Sequence, residues 1–271
     1  MHRLLRAGIA MLSMLALPAG AVAATSTPAA AGPERVPVVL ITGSNRGLGL
    51  EFVRQYAALG WQVIATVRDP SAAPELAALA AANPRIVVEK LDVGSAADID
   101  ALAARYAGKP LDVLLNNAGM LGDPGQQSLA KLDYATFEEV LRVNTWAPLA
   151  MARAFLPNVL AGEQKKIVTI TSGLSSITNT RRPSSLYFYR VSKAGVNMAM
   201  RALQAELRPQ GVKVGIMAPG MVETRLLQQS GYGGMPGVLT PEQSVTAVIR
   251  NIDNLTQDAE IVLYTGEKVP W

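Results

Sequence analysis

The chain has 271 residues, 49% of them hydrophobic and 17% charged, with 25 Lys and Arg, 21 Asp and Glu and no Cys. That balance excludes a disordered or fibrous chain, and the length suits one large α/β domain but not two of ordinary size behind a leader. The net charge of +4, with no basic run interleaved with aromatics, gives no expectation of a nucleic-acid partner.

The N-terminus reads as a separate segment. Met1 to Arg6 is basic, Ala7 to Leu17 is apolar and Ala21-Val22-Ala23 is a small-x-small cleavage site, so residues 1–24 are expected to be a signal peptide for export to the periplasm. The apolar run is short for a spanning helix, and membrane contact is expected only through an uncleaved leader. Without cysteine a lipid-anchored lipoprotein is excluded, and an oxidising compartment is allowed without being required. A true start near Val36 is the competing reading and would mean a cytoplasmic protein. Residues 25–35 are rich in Ala, Pro, Ser and Thr and read as a flexible linker, ahead of a folded domain over 36–271. Once Arg3 and Arg6 leave, 23 basic residues face 21 acidic ones and the net charge falls to +2.

Val38 to Ile41 is an apolar strand that runs into Thr42-Gly43-Ser44-Asn45-Arg46-Gly47-Leu48-Gly49 and then a helical pattern. Strand, tight turn and helix put free backbone N–H groups at a helix N-terminus, where a phosphate is favoured. Gly43 allows the turn, Gly47 the approach of a phosphate and Gly49 close packing of helix on strand. The spacing is Gly-x-x-x-Gly-x-Gly and differs from the dinucleotide fingerprint Gly-x-Gly-x-x-Gly. A loop that uses glycine for conformation alone is the competing reading.

A second strand, Trp61 to Val67, ends at Arg68-Asp69-Pro70. An arginine there suits a ribose 2′-phosphate and an acid suits a free hydroxyl. Arg68 with Arg46 favours NADP(H) over NAD(H), Asp69 opposes it, and two arginines on a solvated face are the alternative. A helix over Ser71–Ala82, a strand over Ile86–Leu91 ending at Asp92, a helix over Ala96–Ala107 and a strand over Leu111–Leu115 continue the alternation. The pattern predicts an α/β domain with one doubly wound parallel sheet covered by helices on both faces. Asn116-Asn117-Ala118-Gly119 then offers small residues beside which a cofactor can lie, and an Asn able to bridge strands; it is expected one strand short of the reversal of the sheet.

A long helix, Tyr134 to Leu160, carries Asn144. A strand, Lys166 to Thr171, delivers Ser172-Gly173. Tyr189 and Lys193 follow, four apart and so on one helical face, ahead of a helix over Ala194–Glu206.

These motifs together resemble the short-chain dehydrogenase/reductase family, over nearly all of Val36 to Trp271. Ser172-Gly173-Leu174-Ser175-Ser176-Ile177, the extended Thr178–Leu186 stretch, Tyr187-Phe188-Tyr189-Arg190 and Val269-Pro270-Trp271 are similar to the branch of C-factor-like proteins and sniffer-type carbonyl reductases. The resemblance implies a Rossmann fold and an NAD(P)-dependent carbonyl reductase or alcohol dehydrogenase with an Asn144, Ser172, Tyr189 and Lys193 tetrad. It implies cofactor contacts from Gly43, Ser44, Asn45, Arg46, Gly47, Leu48, Gly49, Arg68, Asp92, Val93, Asn116, Ala118 and Gly119. Tyr189, Lys193, Pro219, Gly220, Val222 and Thr224 complete that set, the last four in the loop that meets the nicotinamide. No metal is expected. Position after the strand favours Ser172 over Ser175 as the serine that faces substrate. Pairing into a homodimer or homotetramer through the helices of Asn144 and Tyr189 is also implied.

In the chemistry expected, Lys193 lowers the pKa of Tyr189, which is about 10 when free, so that the phenol serves as acid in reduction and base in oxidation. Ser172 holds the substrate oxygen, and the family places Asn144 behind, on a water that links Lys193 to solvent. A strand over Val212–Met217, a mobile cover over Arg225–Val238, a helix over Pro241–Ile252 and a strand over Ala259–Tyr264 close the chain. Leu121, Leu174, Leu186, Met221, Leu226 and Met235 are apolar wall candidates and point to a hydrophobic aldehyde or ketone as the small-molecule substrate. An exported signalling or nucleotide-binding protein that keeps the fold without turnover as its main role is the alternative.

Overall fold

The computed structural model describes residues 35–180, 185–258 and 260–271. The leader and nearly all of the linker lie outside them, as do residues 181–184 of the extended stretch and the expected start of the last strand at Ala259. Val36–Trp271 forms one compact unit.

Its elements are β1 (Val38–Thr42), α1 (Gly47–Ala58), β2 (Gln62–Val67), α2 (Pro74–Ala82), β3 (Ile86–Lys90), α3 (Ala96–Arg105), β4 (Val113–Asn116), β5 (Gln127–Ser128), β6 (Lys131–Leu132), α4 (Tyr134–Leu141), α5 (Ala147–Ala161), β7 (Lys166–Ile170), α6 (Tyr187–Leu207), β8 (Lys213–Ala218), α7 (Arg225–Gln229), α8 (Pro241–Asp253) and β9 (Ile261–Leu263). Among the described residues seven strands make one parallel sheet in the order β3-β2-β1-β4-β7-β8-β9, and β5 pairs with β6 in a small antiparallel hairpin.

Alternation along each strand divides the core in two, since successive side chains point to opposite faces. Val39, Ile41, Val113 and Leu115 pack with Phe52, Val53 and Tyr56 of α1 and Val245, Val248 and Ile252 of α8. Leu40, Leu114, Ile167 and Ile216 face the other way, onto Ile99 and Leu102 of α3, Met151 and Phe155 of α5 and Val196 and Met200 of α6. Both faces are covered, as a parallel sheet requires.

Several boundaries differ from the sequence expectation for local reasons. The Asp69 side chain accepts from the Ser71 N–H and closes a 3-10 turn over Pro70–Ala72, so α2 starts only at Pro74, where proline suits the first helical position. β4 starts at Val113 because Leu111 N donates to Asn158 O, and the Asp112 carboxylate takes the N–H of Val38 and Glu163. The expected single helix over Tyr134–Leu160 contains a π-turn, Arg142–Trp146, between α4 and α5. The hairpin of β5 and β6 has strands too short for any apolar periodicity to announce it.

The reversal of strand order falls between β1 and β4, so Asn116–Gly119 stand directly across from the glycine turn and not one strand short of the reversal. The two segments are latched. Thr42 Oγ1 accepts from Asn117 N and Ala118 N, both at 3.0 Å, and Asn117 Nδ2 donates to Thr42 O at 2.8 Å and Gly43 O at 3.2 Å. Gly43 takes a left-handed φ of +70°, and a Cβ on Gly49 would lie 2.0 Å from Gly43 O, a contact no side chain tolerates.

T42V removes the acceptor of two backbone N–H groups and is expected to lower stability by about 1 to 3 kcal/mol. T42S keeps the oxygen, loses one methyl and is expected to cost under about 1 kcal/mol. Urea unfolding midpoints measure both, and equal losses would count against the latch.

Candidate active site

The C-terminal ends of β1, β2, β3, β4, β7 and β8 open onto one cavity of about 1450 Å³. Ligands of open parallel sheets lie at such a reversal of strand order. The wall is formed at one end by Gly43, Asn45, Arg46, Gly47, Leu48 and Gly49, with Arg68 after β2 and Asp92 and Val93 after β3. Ala118 and Gly119 follow β4, Ser172 follows β7, and Pro219, Gly220, Val222 and Thr224 follow β8. Tyr189 and Lys193 reach the same wall from α6.

Three residues named from the sequence for the cofactor or the tetrad are not on that wall. Ser44 is fully buried and its hydroxyl donates to Ile41 O at 2.9 Å, so it braces the turn from behind. Asn116 is the last residue of β4, and its buried side chain points into the protein. Asn144 is buried in the π-turn, with Oδ1 accepting from Met120 N at 2.9 Å and Nδ2 donating to Met120 O at 2.8 Å and Ser192 Oγ at 3.0 Å. Its side chain is thus wholly engaged in bracing the segment after β4. Asn117 also lines the wall and went unnamed among the cofactor contacts; its bridging amide was foreseen only as a property of the Asn-Asn pair.

α1 begins without a side-chain cap and without an acidic residue in its first turn, so the glycine turn offers a helix N-terminus to the cavity. Arg46 and Arg68 carry no ion pair with a carboxylate among the described residues. Asp69 also lines the cavity, but its carboxylate accepts the Ser71 N–H at 2.9 Å and hydroxyl at 2.6 Å, and those bonds hold it below the usual carboxylate range.

The two serines have different places. Ser175 is buried, donating to Ser172 O at 2.6 Å and accepting from Asn197 Nδ2 at 2.8 Å, while Asn197 Oδ1 takes the Thr171 hydroxyl at 2.6 Å. Ser172 lines the cavity with Tyr189, and its hydroxyl accepts from Leu174 N. Tyr189, Lys193 and Asn197 follow one another at intervals of four on one face of α6, so a single helix carries the phenol, the amine and the brace of the serine loop.

Lys193 is 4% exposed, donates to Ile170 O at 2.9 Å and lies 5.8 Å from the centroid of the Tyr189 ring. Burial brings its pKa down to about 8. For Tyr189 burial pushes the phenol up and the Ser172 hydrogen bond works against it. Burial outweighs the lowering influence, so the Tyr189 pKa stands above its ordinary value where the sequence led to the expectation of a value below it.

Around Tyr189 the walls are apolar. Leu121 and Leu186 are buried against it, with Leu174, Leu226 and Tyr232 partly buried on the same cluster. Leu121, Leu174, Met221, Leu226 and Met235 line the cavity, while Leu186 stands behind Tyr189. Tyr232 was missed because a lone tyrosine among glycines carries no periodic signal. The expected cover includes the five-residue α7, capped by Thr224.

Sequence and structure comparisons extend this picture. The family model described as short chain dehydrogenase matches residues 37–232. C-signal of Myxococcus xanthus is 33% identical over 173 residues, which are 63% of this chain and 99% of that protein. The NADPH-bound carbonyl reductase from chicken fatty liver matches with a TM-score of 0.79 at 32% identity, over 88% of this chain and all 100% of that one. The carbonyl reductase Sniffer of D. melanogaster does so with a TM-score of 0.77 at 27% identity and the same coverage.

Proposed function

The chain belongs to the short-chain dehydrogenase family of NAD(P)-dependent oxidoreductases, and we propose that it reduces the carbonyl of a hydrophobic aldehyde or ketone with NADPH, through Tyr189, Lys193 and Ser172. The observation that carries this reading is the convergence of Ser172, Tyr189 and Lys193 on an apolar stretch of the same cavity wall that bears the glycine turn.

The wall fits a phosphorylated dinucleotide. The open N-terminus of α1 suits a pyrophosphate, and any side chain on Gly47 would crowd Thr224, whose Cγ2 lies 3.3 Å from the Cβ it would carry. Arg46 and Arg68 would hold a 2′-phosphate, and Asp69 is taken up by Ser71 where an NAD(H) site would offer an acid to the ribose. The bound cofactor supplies the hydride. The protein supplies the proton: the Tyr189 phenol is protonated at neutral pH and its hydroxyl is a general acid for the substrate oxygen, which Ser172 holds in place. Lys193, still an ammonium below pH 8, stabilises the phenolate left behind. Leu121, Leu174 and Leu226 keep water from the reacting carbon and accept an apolar substituent.

The protein also exposes large apolar side chains on α4 and α6, among them Tyr134 at 71% and Met198 at 67%, with Tyr187 and Val191 between them. This face suits pairing of two copies. Light scattering is expected to give about twice the 28.6 kDa of one chain, and a single-chain mass would overturn the pairing.

Fluorescence titration of residues 25–271 is expected to give NADPH binding at least roughly tenfold tighter than NADH binding. Y189F is expected to keep NADPH affinity and lose on the order of 10² to 10⁴ in kcat with a hydrophobic aldehyde. Binding of neither nucleotide, or undiminished turnover by Y189F, would sink the proposal.

The pH dependence follows from Lys193. Below about 8 its amine is charged and above it neutral, so the cation that supports the phenolate is lost as pH rises. The kcat/KM for reduction is expected to be level near pH 6 to 7 and to fall by roughly tenfold per unit above about 8. A profile level to pH 10 would exclude this role for Lys193.

A further inference from the structure

We infer that Gln127 is a positioning residue for Tyr189: its buried amide ties the start of the helix that carries the phenol to the loop that forms the substrate wall. The inference rests on the proposed reaction and adds a residue to it.

The N-cap residue of α6 is Leu186, held at a left-handed φ of +67°, whose apolar side chain makes no capping hydrogen bond. Arg190 N makes a bond to Leu186 O at 2.9 Å, which leaves the N–H of Tyr189, at the third helical position, among the donors a capping side chain ordinarily takes. That donor belongs to a residue only 6% exposed, out of reach of ready hydration. Gln127 Oε1 accepts it at 3.2 Å from 62 positions earlier in the chain.

The other end of the same amide is also used. Nε2 donates to Leu121 O at 2.9 Å and to Asp123 O at 3.3 Å. One N–H and two carbonyls around a fully buried amide admit one orientation only, since the flipped amide would set donor against donor and acceptor against acceptors. The loop is shaped to wrap it: Gly122 has φ +76°, and a Cβ there would stand 2.8 Å from Val140 Cγ2 and 3.3 Å from Gln127 Nε2. Leu121 lines the cavity and packs against Tyr189. The acid and an apolar wall are thus set by the same side chain, and the small hairpin of β5 and β6 exists in the position that delivers it.

The test is hydrogen exchange and steady-state kinetics on full-length variants. Q127L keeps much of the volume and removes all three bonds. Its Tyr189 amide and the Met120–Asp123 segment are expected to lose protection together while Asn197–Leu207 keeps it, and kcat is expected to fall roughly 10- to 100-fold with NADPH affinity within about twofold of the wild type. Q127E keeps an oxygen for the Tyr189 N–H but cannot donate to both carbonyls. It is expected to leave Tyr189 protected while the Met120–Asp123 segment opens, raising KM for the carbonyl more than it lowers kcat, and it serves as the test if Q127L does not fold. Exchange is read without turnover, so a wild-type chain that binds NADPH and reduces no carbonyl overturns the proposed function. An unchanged Tyr189 amide or unchanged kcat in Q127L, or parallel loss at both segments in Q127E, overturns the positioning role.

Discussion

The latch between the end of β1 and the end of β4 is the constraint on which the site depends. A parallel sheet that reverses its winding leaves a cleft beyond the paired ends of the two strands at the reversal, and the segments that follow them are held together by what crosses it. Here one hydroxyl, that of Thr42, accepts two backbone N–H groups from the opposite segment, and one amide, that of Asn117, returns to two carbonyls. The contact is so close that residue 49 has no space for a side chain. Only with the two segments locked at this distance do the glycine turn and the Ala118-Gly119 segment become two sides of one cavity.

From that floor the reacting groups are supported by buried polar side chains that never touch it. Asn144 braces Met120 and Ser192, Asn197 and Ser175 brace the loop of Ser172, and Gln127 braces Tyr189 and Leu121. Buried polar groups are costly unless satisfied, and these have found their partners with good geometry. A network of this kind admits one arrangement, which is what positioning of a proton donor requires. The π-turn belongs to the same economy of geometry: a widened helical turn presents Asn144 to the Met120 backbone, where the side chain uses both its donor and its acceptor.

Electrostatics at the site are set by burial more than by pairing. Lys193 and Tyr189 are both withdrawn from water, which favours the neutral form of each. Below about pH 8 the phenol holds its proton while the amine keeps its charge, a combination that suits proton donation. At the opposite end Arg46 and Arg68 line the cavity, and Asp69, next to Arg68 in the sequence, closes a local turn with its carboxylate.

What the sequence determined by itself is the part written in short-range pattern. Alternating apolar strands and helices announced a doubly wound sheet, the glycine spacing announced the turn, and the interval of four between Tyr189 and Lys193 put them on one face, because each of these is fixed within a few residues by backbone geometry. Most residues expected on the cavity wall are there for that reason. The tertiary structure decided what is carried by contacts between distant segments: that Asn116 turns inward, that Ser175 is taken up by Asn197, that Asn144 holds Met120 and Ser192, and that Gln127 caps a helix 62 residues away. A hydrogen bond across such a separation leaves no periodicity in the chain, and burial, which moved the Tyr189 pKa up where local reasoning expected it down, exists only once the strands and helices have closed around the group.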